Sequence, residues 1–288
     1  MHILIYSKEE SLDNWKFIKT CISELHKKNI NIYFLGEFYE KIKSKLKNIN
    51  ASILTNQHNI DFLISFGGDG TMLSAANFIK DYNIPMIGVN TGRLGFLANV
   101  AKENITSLIS DLENKNYTIS KRTLIDIIIE PKLNNVQTYF ALNELSICGD
   151  QNTMINIEAY LNEEYLNNYW GDGLIISTPT GSTGYSLSCG GPIIMPETNN
   201  FIITPIASHN LNVRPLIISN ENEVKLKVDK RFNCFKLSID GKQLDLTNRH
   251  TIRIKKSKSV INLLITKETD YLNTLRNKLL WGLDKRNN

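Results

Sequence analysis

The chain has 288 residues, of which 42% are hydrophobic and 22% charged, a balance that excludes a disordered or fibrous protein. At about 150 residues per domain, this length favours two domains. The net charge is only +4, from 33 Lys and Arg against 29 Asp and Glu. Nucleic-acid-binding domains carry much stronger basic patches, so we expect small anionic ligands and no nucleic acid.

The cysteines and the apolar stretches indicate the compartment. Cys21, Cys148, Cys189 and Cys234 form no CxxC pair, which excludes a zinc knuckle and a disulfide framework. No stretch approaches the ~18 apolar residues of a membrane span, and the N-terminal segment becomes charged too early for a signal peptide. We therefore expect a cytoplasmic protein with reduced thiols and no membrane partner.

The first 116 residues alternate between short apolar runs and segments of helical periodicity. The predicted strands are residues 2–6, 31–35, 61–66 and 84–89. The predicted helices open near Leu12 and Thr71, cover the lysine-rich residues 41–47, and cover residues 104–116. Such alternation is typical of βαβ units. It predicts an α/β, Rossmann-like domain with a parallel sheet over residues 1–116.

From residue 117 to 265 the sequence changes to short β-rich segments at close spacing. This pattern predicts an all-β, sandwich-like second domain. Residues 266–288 return to helical spacing, and we expect them to complete the first domain. The core of that domain is then predicted to include Leu272, Leu275, Leu279 and Trp281.

Twelve of the 16 glycines lie in two clusters, residues 67–95 and 171–191. Glycine lets a ligand approach the main chain closely, and phosphate groups commonly use such an approach. The first cluster contains GGDGT at 67–71, a turn between a predicted strand and a predicted helix that would direct N–H groups at an anion. It is not a Walker P-loop, because no GK[ST] follows.

Asp69 lies in the middle of this turn, where a carboxylate would repel a phosphate. Its presence fits phosphoryl transfer, in which such a group holds Mg²⁺ or accepts a proton from the attacking hydroxyl. The alternative is an ordinary turn with a surface Asp. Because Asn is nearly isosteric and suits tight turns equally well, we expect Asp69→Asn to preserve the fold and remove only the charge.

The second cluster, GDGLIISTPTGSTGYSLSCGGP at 171–192, interleaves Ser and Thr with glycine. Small hydroxyls and free N–H groups can hydrogen-bond a base, a ribose or a phosphate, and Tyr185 offers a stacking face. A turn within the β domain is the alternative, but a hairpin does not need so long a biased segment. We therefore expect a second ligand-binding segment here.

Several motifs resemble, in order, those of the NAD kinase family. They are GGDGT at 67–71, NTGRLGFLA at 90–98, Asn143–Glu144, DGLIISTPTGSTGYSLSCGGP at 172–192, SHNLNVRPL at 208–216 and LRNKLLWG at 275–282. Diacylglycerol and sphingosine kinases share GGDGT, whereas the fourth motif is far more specific. The resemblance implies the NAD kinase/diacylglycerol kinase-like fold. It also implies transfer of the γ-phosphoryl group of ATP to the 2′-hydroxyl of the adenosine ribose of NAD, with a divalent metal such as Mg²⁺ and with metal ligands unknown.

The resemblance also implies residue roles and assembly. Asp69 corresponds to the catalytic carboxylate at the ribose hydroxyls, with Gly70 beside it. Asn143 and Glu144 would hold the adenosine half of NAD, and Asp172 would lie near the nicotinamide end. The segment lining the adenine and ribose pocket corresponds to Thr183, Gly184, Tyr185, Ser186, Leu187 and Ser188. The family forms homodimers or homotetramers.

Two further positions match family residues close to the ligand, and a third departs from the family pattern. His209 matches a family histidine near the nucleotide, although a lone His is commonly structural. Gln243 matches a Gln near the ligand in a segment of variable spacing. Gly184 stands where the family often has Ala, which should loosen the turn while keeping its main-chain contact.

Two other functions stay open at this point. A lipid kinase of the diacylglycerol type would share the fold and GGDGT, but no basic amphipathic helix suited to a lipid surface is evident. A non-catalytic dinucleotide sensor would keep the NAD pocket without turnover, and the presence of Asp69 argues against it. Incubation with ATP, Mg²⁺ and either NAD or diacylglycerol distinguishes the three.

Overall fold

The computed structural model describes residues 1–8, 12–46, 49–55, 59–133, 135–150 and 153–281. The chain divides into two compact units, Met1–Lys121 with Ile261–Asn288, and Arg122–Val260. The sequence-based division lies at residues 116/117 and 265/266. Among the described residues, no helix combines the length and apolar character needed to cross a bilayer.

The α/β unit alternates strands and helices along its sequence. Its strands are β1 (His2–Ser7), β2 (Asn31–Phe34), β3 (Ala51–Ile53), β4 (Phe62–Phe66), β5 (Met86–Asn90) and β6 (Val100–Ala101). Its helices are α1 (Leu12–Lys27), α2 (Gly36–Ile42), α3 (Asp69–Ile79), α4 (Ile105–Asn114) and, near the C-terminus, α6 (Tyr271–Leu279).

The strands of this unit form a parallel sheet in the order β3-β2-β1-β4-β5. Strand β6 continues it parallel to β5. Helix α1 packs on the sheet through Ile18, Cys21, Ile22 and Leu25, whose spacing places them on one helix face. Each such side chain contributes about 1.5–3 kcal/mol on burial. The carboxyl end of β4 leads directly into α3, which places the GGDG turn at that edge of the sheet.

Two sequence-based expectations are wrong in this unit. The helix predicted over residues 41–47 instead ends at Ile42 and is followed by a 3₁₀ turn at Lys43–Lys45; it begins earlier, where Phe38 and Ile42 form a buried i, i+4 pair. Of the apolar residues expected in the core from the C-terminal helix, Leu275 is buried, but Leu272 is 48% and Trp281 52% exposed.

The reason for the second error is the orientation of α6. Its buried stripe runs through Thr274 and Leu275, so Leu272 lies on the solvent side. Leu279 is half-buried. Residues 282–288 of the predicted C-terminal segment lie outside the described residues.

The second unit is built almost entirely of strands. They are β7 (Thr118–Glu130), β8 (Tyr139–Ala141), β9 (Glu144–Gly149), β10 (Ile155–Leu161), β11 (Glu164–Gly171), β12 (Gly173–Ser177), β13 (Asn200–Ile206), β14 (Leu216–Ser219), β15 (Val224–Val228), β16 (Cys234–Ile239), β17 (Lys242–Thr247) and β18 (Thr251–Ile265). A short helix, α5 (Tyr185–Ser188), follows a 3₁₀ turn at Thr180–Thr183 among these elements.

These strands form two sheets that enclose one core. The first contains the run β11-β10-β15-β18 with β7 and β8, and the second has the order β14-β13-β12-β9-β16-β17. The second sheet is antiparallel throughout its registers. Apolar residues from both sheets, such as Ile157, Leu226, Ile147 and Leu237, pack in one cluster. The α/β unit has a parallel sheet and the second unit is a β-sandwich, and together they confirm the predicted fold class.

Candidate active site

The GGDG turn fixes Asp69 at the first residue of α3. Its carboxylate accepts three main-chain hydrogen bonds from a single loop of the same unit. Oδ2 accepts from the N–H of Phe96 at 2.9 Å, and Oδ1 accepts from Leu97 and Ala98 at 3.0 and 2.9 Å. Each carboxylate oxygen offers two lone pairs, so Oδ1 is fully used and Oδ2 keeps one lone pair. Position 70, next along the helix, is exposed.

The motif NTGRLGFLA folds so that its main chain closes around this carboxylate. The Asn90 side chain donates to the carbonyl of Ala98 and accepts from the N–H of Gly92. A Cβ at Gly95 would lie only 1.9 Å from Asp69 Oδ1, so a larger residue here would displace the carboxylate. The motif therefore serves to orient Asp69.

The β-rich unit contains a cavity of about 640 Å³ on the outer face of its second sheet. Three of the predicted site residues line it: Glu144, Tyr185 and Gln243. The structure thus brings together residues separated by about a hundred positions in the sequence. Sequence reasoning missed the polar floor of this cavity, which consists of Ser146, Cys148, Lys236 and Ser238.

The pairing register of β9, β16 and β17 explains why these four side chains line the cavity together. Ser238 of β16 lies opposite Ser146 of β9 and opposite Gln243 of β17, and Lys236 lies opposite Cys148. These residues alternate with buried ones such as Leu237 and Ile147 along their strands, so their side chains share the outer face. The period-two pattern was the signal that could have identified them.

Asn143 and Glu144 lie at the entrance to β9 and carry buried, unpartnered oxygens. Asn143 Oδ1 and Glu144 Oε2 have no hydrogen-bond partner among the described residues. Burial raises the pKa of the Glu144 carboxyl to about 7; the negative charge of Asp240 adds to the shift, and a main-chain hydrogen bond from Tyr185 opposes it. Both side chains therefore present acceptors that a ligand with hydrogen-bond donors could satisfy.

The segment Thr183–Ser188 packs directly against this pair. A Cβ at Gly184 would lie 2.8 Å from Glu144 Oε2, so the glycine leaves room for the carboxyl group. Tyr185 is 41% exposed and lines the cavity with its ring. Ser186 instead is fully buried, and its hydroxyl shares a 2.8 Å hydrogen bond with Thr204 Oγ1. Leu187 is half-buried and Ser188 exposed, and the hydroxyl of Thr183 donates to the carbonyl of Thr180.

Asp172 and His209 both lie near the C-terminal end of strand β13. Asp172 is exposed between β11 and β12, and its main-chain N–H donates to the carbonyl of Ile206. Its charge adds to the pKa increase that burial and Cys189 cause at the Cys148 thiol, so it lies close to the cavity. His209 is exposed and its ring packs on Trp170 at 4.8 Å between centroids. The described lining of the cavity does not include His209.

The described residues include no group of three or more His, Cys, Asp or Glu side chains placed to hold a metal ion. Three main-chain N–H groups surround the Asp69 carboxylate instead. The described side chains therefore supply no cage of their own for a metal ion.

Two family models match the chain in order. The ATP-NAD kinase N-terminal domain matches residues 6–117, and the ATP-NAD kinase C-terminal domain matches residues 142–265. The chain is 45% identical to the NAD kinase of Flavobacterium johnsoniae, with 100% of both chains covered. It is 52% identical to the NAD kinase of Flavobacterium psychrophilum over 80% of this chain and 79% of that protein.

Solved structures with the same fold include two kinases. Yeast NADH kinase complexed with NADH matches with a TM-score of 0.89 and 23% identity, covering 99% of this chain and 88% of that one. An NAD kinase from Archaeoglobus fulgidus in complex with ATP matches with a TM-score of 0.73 and 23% identity, covering 96% and 99%. At these identities the likeness is one of fold.

Proposed function

The chain belongs to the ATP-NAD kinase family, and on that premise we propose how its residues carry out the transfer of the γ-phosphoryl group of ATP to the 2′-hydroxyl of the adenosine ribose of NAD. Asp69 acts on the 2′-hydroxyl, which it orients and deprotonates. Asn143 and Glu144 hold the adenosine half of NAD. The segment Thr183–Ser188 and Gln243 complete the nucleoside pocket, and Asp172 and His209 lie toward the rest of the dinucleotide.

The observation that carries this proposal is the orientation of the Asp69 carboxylate. Three N–H groups hold it in place, and Oδ2 alone keeps a lone pair for an incoming proton. A general base positioned in this way contributes ~10²–10⁴ in rate. The rest of the acceleration comes from holding donor and acceptor in line, which can supply ~7–11 kcal/mol of the barrier. No side chain forms a phosphoenzyme.

The adenosine pocket is proposed on hydrogen-bond complementarity. A buried acceptor without a partner costs about 1–3 kcal/mol. The ribose hydroxyls and the amino group of adenine are donors that could remove this cost at Asn143 Oδ1 and Glu144 Oε2. The half-exposed ring of Tyr185 offers a stacking surface for the base.

The phosphoryl donor is ATP, and we propose that it enters as its Mg²⁺ complex. Mg²⁺ commonly binds through substrate phosphates and few protein carboxylates, which agrees with the donor groups of this chain. The ion is thus part of the substrate. We also propose, from the family resemblance, a cytoplasmic homodimer or homotetramer, which sedimentation at several protein concentrations would test.

The direct test supplies the protein with MgATP and NAD and follows NADP with an NADP-specific dehydrogenase. Parallel reactions contain the NAD analogue that lacks the 2′-hydroxyl of the adenosine ribose, or diacylglycerol in place of NAD. We expect NADP from NAD, binding without reaction from the analogue, and no phosphorylated lipid. Phosphorylation of the analogue at a comparable rate, or no NADP from NAD, would contradict the proposal.

A further inference from the structure

Asp240 lies in a two-residue turn between β16 and β17. Asp240 and Gly241 have φ angles of 46° and 83°, and Ile239 pairs with Lys242 on either side. Two left-handed residues in a two-residue loop define a type I′ hairpin, in which Asp-Gly is a favoured pair. The turn directs the Asp240 side chain at the segment Leu142–Glu144, which precedes and begins β9.

Asp240 and Thr178 satisfy the whole main chain of this segment. The Asp240 carboxylate accepts from the N–H groups of Leu142, Asn143 and Glu144 at 2.7, 2.9 and 3.1 Å, and its own N–H donates to the Glu144 carbonyl at 3.1 Å. Thr178 donates through Oγ1 to the Leu142 carbonyl at 2.5 Å and through N–H to the Asn143 carbonyl at 2.9 Å. All three N–H groups and all three carbonyls of the segment are thereby fixed.

One oxygen atom on each of two side chains of the same segment is left without a partner. Asn143 Oδ1 and Glu144 Oε2 are buried and unbonded among the described residues. The main chain cannot rotate to satisfy them without breaking the bonds to Asp240 and Thr178. A folded chain that leaves two buried acceptors open while fixing their backbone is preorganised for a ligand.

We infer that Asp240 is a positioning residue for the dinucleotide substrate: through the main chain of residues 142–144, it holds the Asn143 and Glu144 side chains in the orientation that receives the adenosine ribose. The inference rests on the proposed function of that pair. Asp240 acts through the segment and does not itself touch the reacting atoms.

The effect of the Asp240 charge on the Glu144 carboxyl provides a second measurable quantity, the pH dependence of NAD binding. Burial raises the pKa of the Glu144 carboxyl to about 7, and the Asp240 charge contributes to this shift. The other titratable groups at the cavity near Glu144 are Tyr185, Cys148 and Lys236. Ionised Glu144 accepts a ribose hydroxyl better than the acid, so NAD affinity should rise through pH 7. Removal of the Asp240 charge should move this midpoint to lower pH.

A turn-forming role and a positioning role predict different results for Asp240→Asn. Asn suits the first position of a type I′ turn, so a residue that only forms the turn tolerates the change. The Asn side chain has one acceptor oxygen, and its amide group would face an N–H of the segment. A positioning residue therefore does not tolerate it.

The experiment compares the wild type with Asp240→Asn and with Asp229→Asn. Asp229 is the matched control because it accepts a main-chain N–H, that of Arg231, in another turn of the same unit. We expect Asp240→Asn to raise the KM and the calorimetric Kd for NAD at least tenfold and to shift the pH midpoint of NAD binding downward. The KM for MgATP should change less than twofold, and Asp229→Asn should match the wild type throughout.

The outcomes separate this inference from the proposed function. A wild type that neither binds NAD nor forms NADP overturns the proposed function, and the inference with it. An active wild type whose NAD affinity and pH midpoint persist in Asp240→Asn overturns the inference alone. If Asp240→Asn does not fold, Thr178→Val is the second variant, because it removes the hydroxyl that bonds the Leu142 carbonyl. Faster amide exchange at residues 142–144 would show that the segment is loosened. Unchanged NAD affinity in that variant would also overturn the inference.

Discussion

Asp69 in the α/β unit and Asp240 in the β-rich unit accept main-chain hydrogen bonds in the same pattern. Each carboxylate accepts three consecutive N–H groups, one on Oδ2 and two on Oδ1: residues 96–98 for Asp69 and residues 142–144 for Asp240. The two segments differ in their side chains. Residues 96–98 are Phe, Leu and Ala, whereas residues 143 and 144 are Asn and Glu with unpartnered oxygens.

This difference indicates opposite uses of one arrangement. In the α/β unit the apolar segment offers a ligand only its main chain, and that main chain orients the acid. In the β-rich unit the acid is enclosed by the turn and the segment, and it orients the side chains of the segment. Burial raises the pKa of Asp240, against the effect of its three main-chain hydrogen bonds. Under the proposed function, Asp69 is the reacting group of its cluster, whereas Asp240 supports the main chain of residues 142–144.

Asp69→Asn should have the largest effect. Loss of the carboxylate should lower kcat ~10²-fold or more, or at least about 2.7 kcal/mol of transition-state stabilisation. Titration with Mg²⁺ should not restore the rate, because the proposed role of the lost carboxylate is at the 2′-hydroxyl and not at the metal. Recovery of turnover at high Mg²⁺ would show that Asp69 anchors the metal.

The same variant should also lose stability, which revises the expectation from sequence. Asn lacks one of the acceptors that Asp69 gives to residues 96–98, so the free energy of unfolding should fall by about 1–3 kcal/mol. Urea denaturation measures this change, and Asp81→Asn, at an exposed position beyond α3, is the control. An unchanged unfolding curve would show that the three hydrogen bonds contribute little.

Gly95→Ala tests whether the loop orients Asp69. The new Cβ would lie 1.9 Å from Asp69 Oδ1, so the carboxylate must move although it is still present. We expect kcat to fall about 10- to 100-fold with a smaller change in the KM for NAD. Gly92→Ala is the matched control, because a Cβ there has no atom within 4 Å. Equal activity of the two variants would contradict the orienting role.

Glu144→Gln should change the pH dependence of stability. The folded-state pKa of about 7 exceeds the ordinary value near 4.3, so the unfolding free energy of the wild type should fall as pH rises from about 4.3 to 7 and level off above. Gln does not titrate, so the variant lacks this pH-dependent loss of stability. The unfolding free energy of the variant minus that of the wild type should therefore rise by about 1–3 kcal/mol between pH 5 and pH 8. Urea denaturation at both pH values measures it; parallel pH profiles would contradict the raised pKa.

Gly184→Ala should have the smallest effect. It restores the residue common in the family, and its Cβ would lie 2.8 Å from Glu144 Oε2, the end of a side chain, and 3.2 Å from the carbonyl oxygen of Gly181. We expect the KM for NAD to change less than about fivefold, with kcat preserved. Initial rates across NAD concentrations measure this, and a loss comparable to that of Gly95→Ala would mean that the Glu144 carboxyl cannot adjust.

Local patterns predicted the parts of the molecule that depend on local sequence. Alternating apolar runs gave the parallel sheet, and the glycine clusters directed attention to Asp69 and to the segment around Tyr185. Strands β11 and β14 carry a weaker sequence signal, because the first has little apolar character and both lie at sheet edges. Edge strands bury fewer side chains, so their pattern is weak.

The hydrogen bonds by which Asp240 fixes the main chain of residues 142–144 could not be predicted from local patterns. Asp240 accepts hydrogen bonds from Leu142, Asn143 and Glu144, which precede it in the sequence by 98, 97 and 96 positions. No local sequence pattern indicates a contact over such a separation. An Asp-Gly pair between two β segments is a signal for a hairpin turn, but the direction of the Asp240 side chain depends on the neighbouring strand. Leu272 was misplaced for a similar reason: periodicity defines a helix face, whereas packing decides which face is buried.

The most direct test of the opposite roles measures the steady-state kinetics of Asp69→Asn and Asp240→Asn side by side with NAD and MgATP. We predict that Asp69→Asn lowers kcat at least 10²-fold with the KM for NAD within about threefold of the wild type. Asp240→Asn should instead raise the KM for NAD at least tenfold and keep most of kcat. If both variants change the same kinetic parameter, the two carboxylates do not differ in role and the account is contradicted.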